Sequence, residues 1–283
     1  MDHNEENLIK VFEKNPDFFY AGHSYHLLKP YGKPKSRDRG GEPKTDVYFS
    51  FLVDKKEVIE IKISLKKKNF NFTENKVCFE RMNLWGENTE NMLTAIAINI
   101  LKNDYDKIYK SLVNPKRDRR KGDKYLLGYR LDLTNKPNGK RSYPLDLTTE
   151  QKVEFFTGAT MEEEKRNSLV SGELIKNSGV ANMYLEMDVT GEETPQEILS
   201  SLIPLNDKSF YEKNELFATI KAVNYFPNPP EGSNKYDGPR PLLIQASYNH
   251  NEGTDTIDKS LIIENPLQIT AKDIVEKYSM LFL

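Results

Sequence analysis

The sequence predicts an α+β fold: a mixed central sheet flanked by helices, elaborated by a strand-rich second half. Three observations carry this expectation. Residues 46–53 and 57–64 alternate apolar and polar side chains around a short charged turn, the pattern of a β-hairpin. Helical periodicity occurs near the N-terminus and again over about 88–113. Beyond residue 115, short strand-like runs alternate with turn-rich segments. A chain of 283 residues suits one domain, with a core over roughly 1–115 and elaborations over roughly 116–283.

The elements follow in order. Residues 4–14 predict an amphipathic helix with Leu8, Ile9 and Phe12 on one stripe, and Glu5 falls on that stripe. Residues 15–45 read as a loop carrying His23 and His26. The spacing of this pair suits a metal on a helix, but Gly22 and the lack of partner ligands argue against a zinc site. The hairpin follows, with Val47, Phe49, Phe51 and Val53 alternating on one strand and Ile59, Ile61 and Ile63 on the other. Leu93, Ile96, Ala97 and Ile100 mark a helix that Asn114-Pro115 ends. Residues 116–124 read as a basic loop and 125–133 as a strand. Capping boxes at Thr148/Gln151 and Thr160/Glu163 predict two helices, the first over 149–157. Asn177-Ser178-Gly179 is a turn, and 180–189 a strand. Thr194, Pro195 and Glu197 start a helix reaching about 203. Strands are expected over 216–225, 242–248 and 261–263, an exposed loop over 226–241, and a last helix over 271–280 capped by Thr270 and Asp273.

Composition narrows the class. Charged residues make up 30% of the chain, yet 15 Tyr and 14 Phe supply a core. No apolar run approaches the ~20 residues that cross a bilayer. The acidic start, MDHNEENLIK, lacks the apolar segment of a signal peptide, so a cytoplasmic protein is expected. One cysteine, Cys78, makes no internal disulfide and no zinc cluster. Net charge is −2, but residues 29–76 hold 13 Lys and Arg against 7 Asp and Glu, and residues 114–141 hold 10 against 3. Two basic zones in an otherwise acidic chain favour a polyanionic partner.

The chemistry concentrates in GGEPKTDVYFSFLVDKKEVIEIKISLKKK, residues 40–68. On a strand, Glu60 and Lys62 share a face, and parity places Asp46, Tyr48 and Ser50 on the same side of the partner strand. Two carboxylates can hold Mg²⁺, a hard ion that prefers oxygen, and the Ile61 carbonyl offers a third ligand. Lys62 can position a water or stabilise developing charge. Register creates a tension. A three-residue turn at 54–56 places Asp46 opposite Ser64, ~13 Å along the strand from Glu60, so a shared metal predicts a bulge, a bend or a longer turn.

Acid-x-Lys tripeptides recur in so charged a chain, but only 60–62 lies on a strand preceded by another strand led by an aspartate. This stretch resembles the PD-(D/E)xK nuclease superfamily, with Asp46 as first acid, Glu60 as second and Lys62 as the lysine. More narrowly it resembles type II restriction endonucleases with a glycine pair, then PKTD, then a lysine, a serine and a lysine cluster. Here these are Gly40-Gly41, Pro43-Lys44-Thr45-Asp46, Lys62, Ser64 and Lys66-Lys67-Lys68. The resemblance spans about 30 of 283 residues, and Lys44-Thr45 separates Pro43 from Asp46, unlike the usual motif. It implies a restriction-endonuclease-like core, Mg²⁺ on Asp46, Glu60 and Ile61, and Lys62 assisting the attacking water. It also implies DNA along Lys44, Ser64, Lys66, Lys67 and Lys68.

Lys116, Arg117, Arg119, Arg120 and Lys121 add a second DNA-contact zone, where arginine can bridge guanine edges. The loops at 135–141 and 233–240 carry side chains suited to base reading. Cutting both strands of a duplex implies two active sites, hence a homodimer. The alternatives are a structure- or damage-selective nuclease of the same core, and a non-catalytic nucleic-acid-binding protein whose hairpin charges are structural ion pairs.

Overall fold

The computed structural model describes residues 2–37, 42–68, 116–118, 122–137, 142–225, 244–251 and 256–263. In chain order the elements are α1 (His3–Lys14), β1 (Asp17–Tyr20), β2 (His23–Tyr31), β3 (Val47–Val53), β4 (Glu57–Lys66), β5 (Lys116–Asp118), β6 (Gly122–Thr134), β7 (Ser142–Leu145), α2 (Thr149–Thr157), α3 (Glu163–Arg166), β8 (Ser168–Val170), β9 (Glu173–Ile175), β10 (Met183–Glu186), α4 (Pro195–Ser201), β11 (Ile203–Pro204), α5 (Lys208–Lys213), β12 (Leu216–Tyr225), β13 (Ile244–Asn251) and β14 (Thr256–Ile263). The fold is mixed α/β and rich in sheet. It divides into two compact units, each discontinuous in sequence: Met1–Phe70 with Thr148–Glu215, and Asn71–Leu147 with Leu216–Leu283. The unit that holds the 46–64 hairpin thus also draws on Thr148–Glu215.

The first unit holds a six-stranded mixed sheet in the order β1-β2-β3-β4-β10-β11. β4 and β10 are parallel, with Ile63 beside Met183, while the other neighbours are antiparallel. One face carries the apolar alternation read from the sequence. Val47, Phe49, Phe51, Ile61, Ile63 and Leu65 pack there against Leu8, Val11 and Phe12 of α1 and Ile198 and Leu199 of α4. Phe12 is fully enclosed, its ring 4.7 Å from Phe49 and 5.4 Å from Phe51. The opposite face is also covered. Phe156 of α2 meets Tyr184 of β10 edge-on at 5.9 Å, and Phe210 of α5 lies 5.2 Å from Tyr184.

Polar side chains fix α1 to the sheet. Asn4 donates to the Met187 carbonyl and accepts from the Val189 amide, and Asn7 donates to the Val189 carbonyl. These amides satisfy backbone groups beyond the end of β10 that would otherwise be buried unpaired. Gly179 anchors the approach to β3. Its carbonyl accepts the amides of Lys44 (3.0 Å) and Thr45 (3.2 Å). An added Cβ there would collide with the Lys165 carbonyl and with Pro43, so only glycine permits this close approach.

Several expectations need correction. Residues 15–45 are not all loop, since β1 and β2 form a hairpin in which Tyr20 faces His23. Ala21 and Gly22 adopt φ of 49° and 87° there, the left-handed pair of a tight two-residue turn. The basic stretch 116–124 is not one loop either, because Lys116 pairs with Lys124 and Asp118 with Gly122. The expected strand 180–189 shortens to β10, and the helix expected at Thr160 starts at Glu163. β7, β8, β9, β11 and α5 arise where no element was expected. The Thr148 and Thr194 capping boxes are present as read. The helices over 88–113 and 271–280, the loop 226–241 and the base-reading loop 233–240 lie outside the described residues.

The second unit holds an antiparallel sheet in the order β14-β13-β6-β12-β7, with β5 paired to β6. Tyr129, Leu131 and Leu133 of β6 and Leu216, Ala218 and Ile220 of β12 are buried. Among the described residues, no helix is long and apolar enough to cross a membrane.

Candidate functional site

The β3–β4 hairpin has the register that a three-residue turn dictates. Val53 faces Glu57, Ser50 faces Glu60, Tyr48 faces Lys62 and Val47 faces Ile63. Asp54 and Lys55 take φ of 50° and 57° in the turn. The ladder therefore contains no bulge that carries Asp46 toward Glu60. Asp46 instead turns its carboxylate onto the end of β4, where Oδ2 accepts the Leu65 amide at 2.9 Å. That amide points to the β3 side opposite Thr45, where β3 has not yet begun, so the carboxylate takes the ladder position that a backbone carbonyl would fill.

Asp46 is buried, and two ammonium groups balance its charge. Lys66 Nζ lies 3.2 Å from Oδ2 and Lys33 Nζ 3.2 Å from Oδ1. Lys33 also meets Glu42 at 3.0 Å. Burial opposes charge on Lys33, but Asp46 and Glu42 together outweigh it and hold its pKa above the usual lysine value. Glu5 of α1 feels the Asp46 charge. Burial, then the Asp46 charge, push the Glu5 carboxyl above its ordinary range. A cleft of about 920 Å³ opens beside these groups, lined by Glu5, Ile9, Tyr31, Lys33, Ser36 and Glu42 among others.

Glu60 and Lys62 form the second cluster. They share a face of β4, with Lys62 Nζ 3.4 Å from Glu60 Oε2. The hydroxyl of the buried Tyr48 donates to Glu60 Oε1 at 2.6 Å. Burial, then the Glu60 charge, raise the Tyr48 phenol well above its usual pKa, so it stays protonated and remains a donor at neutral pH. Ile61 points its side chain into the core and stands opposite Phe49. Lys62 uses its backbone N–H and C=O on the β10 side, so alternation turns the Ile61 carbonyl toward β3.

The structure thus brings Glu60 to Lys62 and Asp46 to Lys33, Lys66 and Glu5, while Asp46 and Glu60 keep separate partners. Hard oxygen donors suit Mg²⁺, but ammonium groups already occupy both Asp46 oxygens. Among the described residues, no group of three acids, histidines or cysteines is gathered at one point. The flanking residues differ in role. Ser64 is buried, on the face of β4 that it shares with Glu60 and Lys62. Lys66 is engaged by Asp46, Lys67 pairs with Asp2 at 3.0 Å, and Lys68 is exposed. The Lys44 amide is held by Gly179. Lys116 and Arg117 lie on β5, and Arg119, Arg120 and Lys121 fall outside the described residues.

Sequence reasoning missed Lys33 and Asn182 as members of the site. Parity places Tyr48 on the site's face but gives it no role. Nothing in the sequence marks Lys33 among its basic neighbours, or Asn182 within the expected strand 180–189.

Comparison of the chain with protein-family models, with curated proteins and with solved structures gives no match.

Proposed function

We propose that this chain is a Mg²⁺-dependent endonuclease of double-stranded DNA, with the restriction-endonuclease-like core that its central motif resembles. The observation that carries the reading is the pairing of Glu60 with Lys62 on one face of β4 (3.4 Å), beside a strand led by the buried Asp46. The coarse plan of the first unit, a mixed sheet with helices on both faces, is compatible with such a core.

Phosphodiester hydrolysis adds water across a P–O bond, and the phosphorus centre gathers negative charge as the water attacks. Lys62 is suited to orient the attacking water or to offset that charge. Tyr48 fixes one Glu60 oxygen and leaves the other toward Lys62. Asp46, Glu60 and the Ile61 carbonyl are the oxygen donors that would hold Mg²⁺, which polarises the phosphoryl oxygen and eases deprotonation of water. Because the register leaves Asp46 opposite the end of β4 and not opposite Glu60, a single shared ion would require Asp46 to swing toward Glu60. Lys33 and Lys66 occupy the Asp46 oxygens and would give way to the cation. Lys67, Lys68 and the basic β5 segment supply phosphate contacts. Two copies of the chain would cut the two strands.

One observation favours a second reading, a nucleic-acid-binding protein without catalysis. The Asp46 carboxylate already satisfies the Leu65 amide and two lysines, which is what a structural ion pair requires. Incubating the purified chain with plasmid and genomic DNA, with Mg²⁺ or with excess chelator, separates the two. Discrete bands that need Mg²⁺ support the endonuclease. Retained binding without cleavage replaces it with the binding protein.

A further inference from the structure

β4 meets β10 in parallel from Ile63 and Met183 onward. The two residues that carry the proposed chemistry, Glu60 and Lys62, come earlier, where β10 has not yet begun. Their backbone groups on that side are nevertheless satisfied, and one residue does it. Asn182 Oδ1 accepts the Lys62 amide at 2.7 Å, and Asn182 Nδ2 donates to the Glu60 carbonyl at 2.9 Å. The Asn182 backbone amide donates to the Lys62 carbonyl at 2.9 Å.

A side-chain amide has one acceptor and one donor set, spaced much like a peptide unit. Asn182 therefore acts as an extra rung of the sheet, placed across the Glu60-Ile61-Lys62 tripeptide. It is itself tied down: its carbonyl accepts the Leu205 amide at 2.9 Å, and the preceding Ala181 amide donates to the Thr157 carbonyl at the end of α2 at 3.1 Å. No other standard side chain of this size offers a neutral donor and acceptor together. Aspartate does so only when protonated.

We infer that Asn182 is a positioning residue for the reaction proposed above, holding the backbone of Glu60 and Lys62 so that both side chains leave the same face in fixed relation. It touches neither reacting atom. The inference rests on the endonuclease reading, but the geometry it describes can be read without any cleavage.

The test compares wild type, Asn182→Ala and Asn182→Asp in two measurements. In amide exchange by NMR, Asn182→Ala is expected to speed exchange of the Lys62 amide by about 10-fold or more, since that amide loses Asn182 Oδ1 as its acceptor. In single-turnover cleavage of DNA with Mg²⁺, Asn182→Ala is expected to lower the cleavage rate constant by about 10- to 100-fold, the usual cost of losing a group that orients a catalytic one, with DNA affinity within about 3-fold. Asn182→Asp supplies a signature that mere destabilisation does not. Its rate relative to wild type should rise as pH falls through its carboxyl pKa, when the acid regains the donor, while the ratio for Asn182→Ala stays flat. Unchanged Lys62 exchange overturns the clamp. Faster exchange with an unchanged cleavage rate, or a flat pH ratio for Asn182→Asp, overturns the positioning role. Absence of cleavage by wild type overturns the endonuclease reading and the positioning role with it, and faster Lys62 exchange in Asn182→Ala then marks a purely structural clamp.

Discussion

Lys66 Nζ lies 3.2 Å from Asp46 Oδ2, so the last residue of β4 closes on the aspartate that precedes β3. The contact fixes the mouth of the hairpin, and with Lys33 it gives Asp46 a structural role.

Asp46→Ala should therefore lower stability as well as activity. It strips the Leu65 amide of its acceptor and leaves Lys33 and Lys66 facing each other. We expect a loss of about 1–3 kcal/mol, the range for unpairing a buried donor or charged hydrogen bond, read by denaturant unfolding. Asp46→Asn, which keeps an acceptor, should lose less. Equal stability of Asp46→Ala and wild type would show that the contacts are idle.

Tyr48→Phe removes only the donor to Glu60 Oε1, in a side chain that is 2% exposed. The core volume is nearly unchanged, so the expected loss of stability is about 0.5–1.5 kcal/mol. Cleavage should fall while DNA affinity holds, because Glu60 gains freedom to turn away from Lys62. A variant that cleaves at the wild-type rate would remove Tyr48 from the site.

Glu5 gives a pH signature. Its carboxyl titrates above the ordinary glutamate value of 4.5 in the folded chain, through burial first and the Asp46 charge second. A raised carboxyl pKa means the folded state binds the proton more tightly, so this group's contribution to stability falls as pH rises above 4.5. Glu5→Gln should raise the melting temperature near pH 7, and that gain should vanish on acidification below the ordinary glutamate range. A gain that persists in acid would locate the effect elsewhere.

DNA binding should weaken steeply with salt, since Lys and Arg contacts to phosphates release condensed counterions. Lys68→Ala should reduce the slope of log K against log salt by about one unit, roughly 0.9 per phosphate contact. A flat response in wild type would remove the polyanion reading of the basic zones.

Period-two alternation made the hairpin legible, because one face of each strand is buried beneath α1 and side-chain parity follows from the pleat. The three-residue turn was equally readable, and with it the position of Asp46 opposite the end of β4. The partners of Asp46 were not. Lys33 reaches it from beyond β2, and Asn182 reaches Glu60 and Lys62 from more than a hundred residues downstream. Such long-range polar contacts leave no periodic trace in sequence. The β1–β2 hairpin was missed for a local reason: histidines, a glycine and prolines read as loop, while the aromatic residues Phe18 and Tyr25 stack at 5.0 Å across it.

The proposed endonuclease requires Asp46, Glu60 and Lys62 to act together on a phosphodiester. Its most direct test is single-turnover cleavage by Asp46→Asn, Glu60→Gln and Lys62→Met with Mg²⁺, each beside a DNA-binding isotherm. Each variant should bind DNA within a few-fold of wild type and cleave about 10²- to 10³-fold more slowly, the scale of removing one group that stabilises transition-state charge. Wild-type cleavage by any one of the three, with binding intact, would contradict the account.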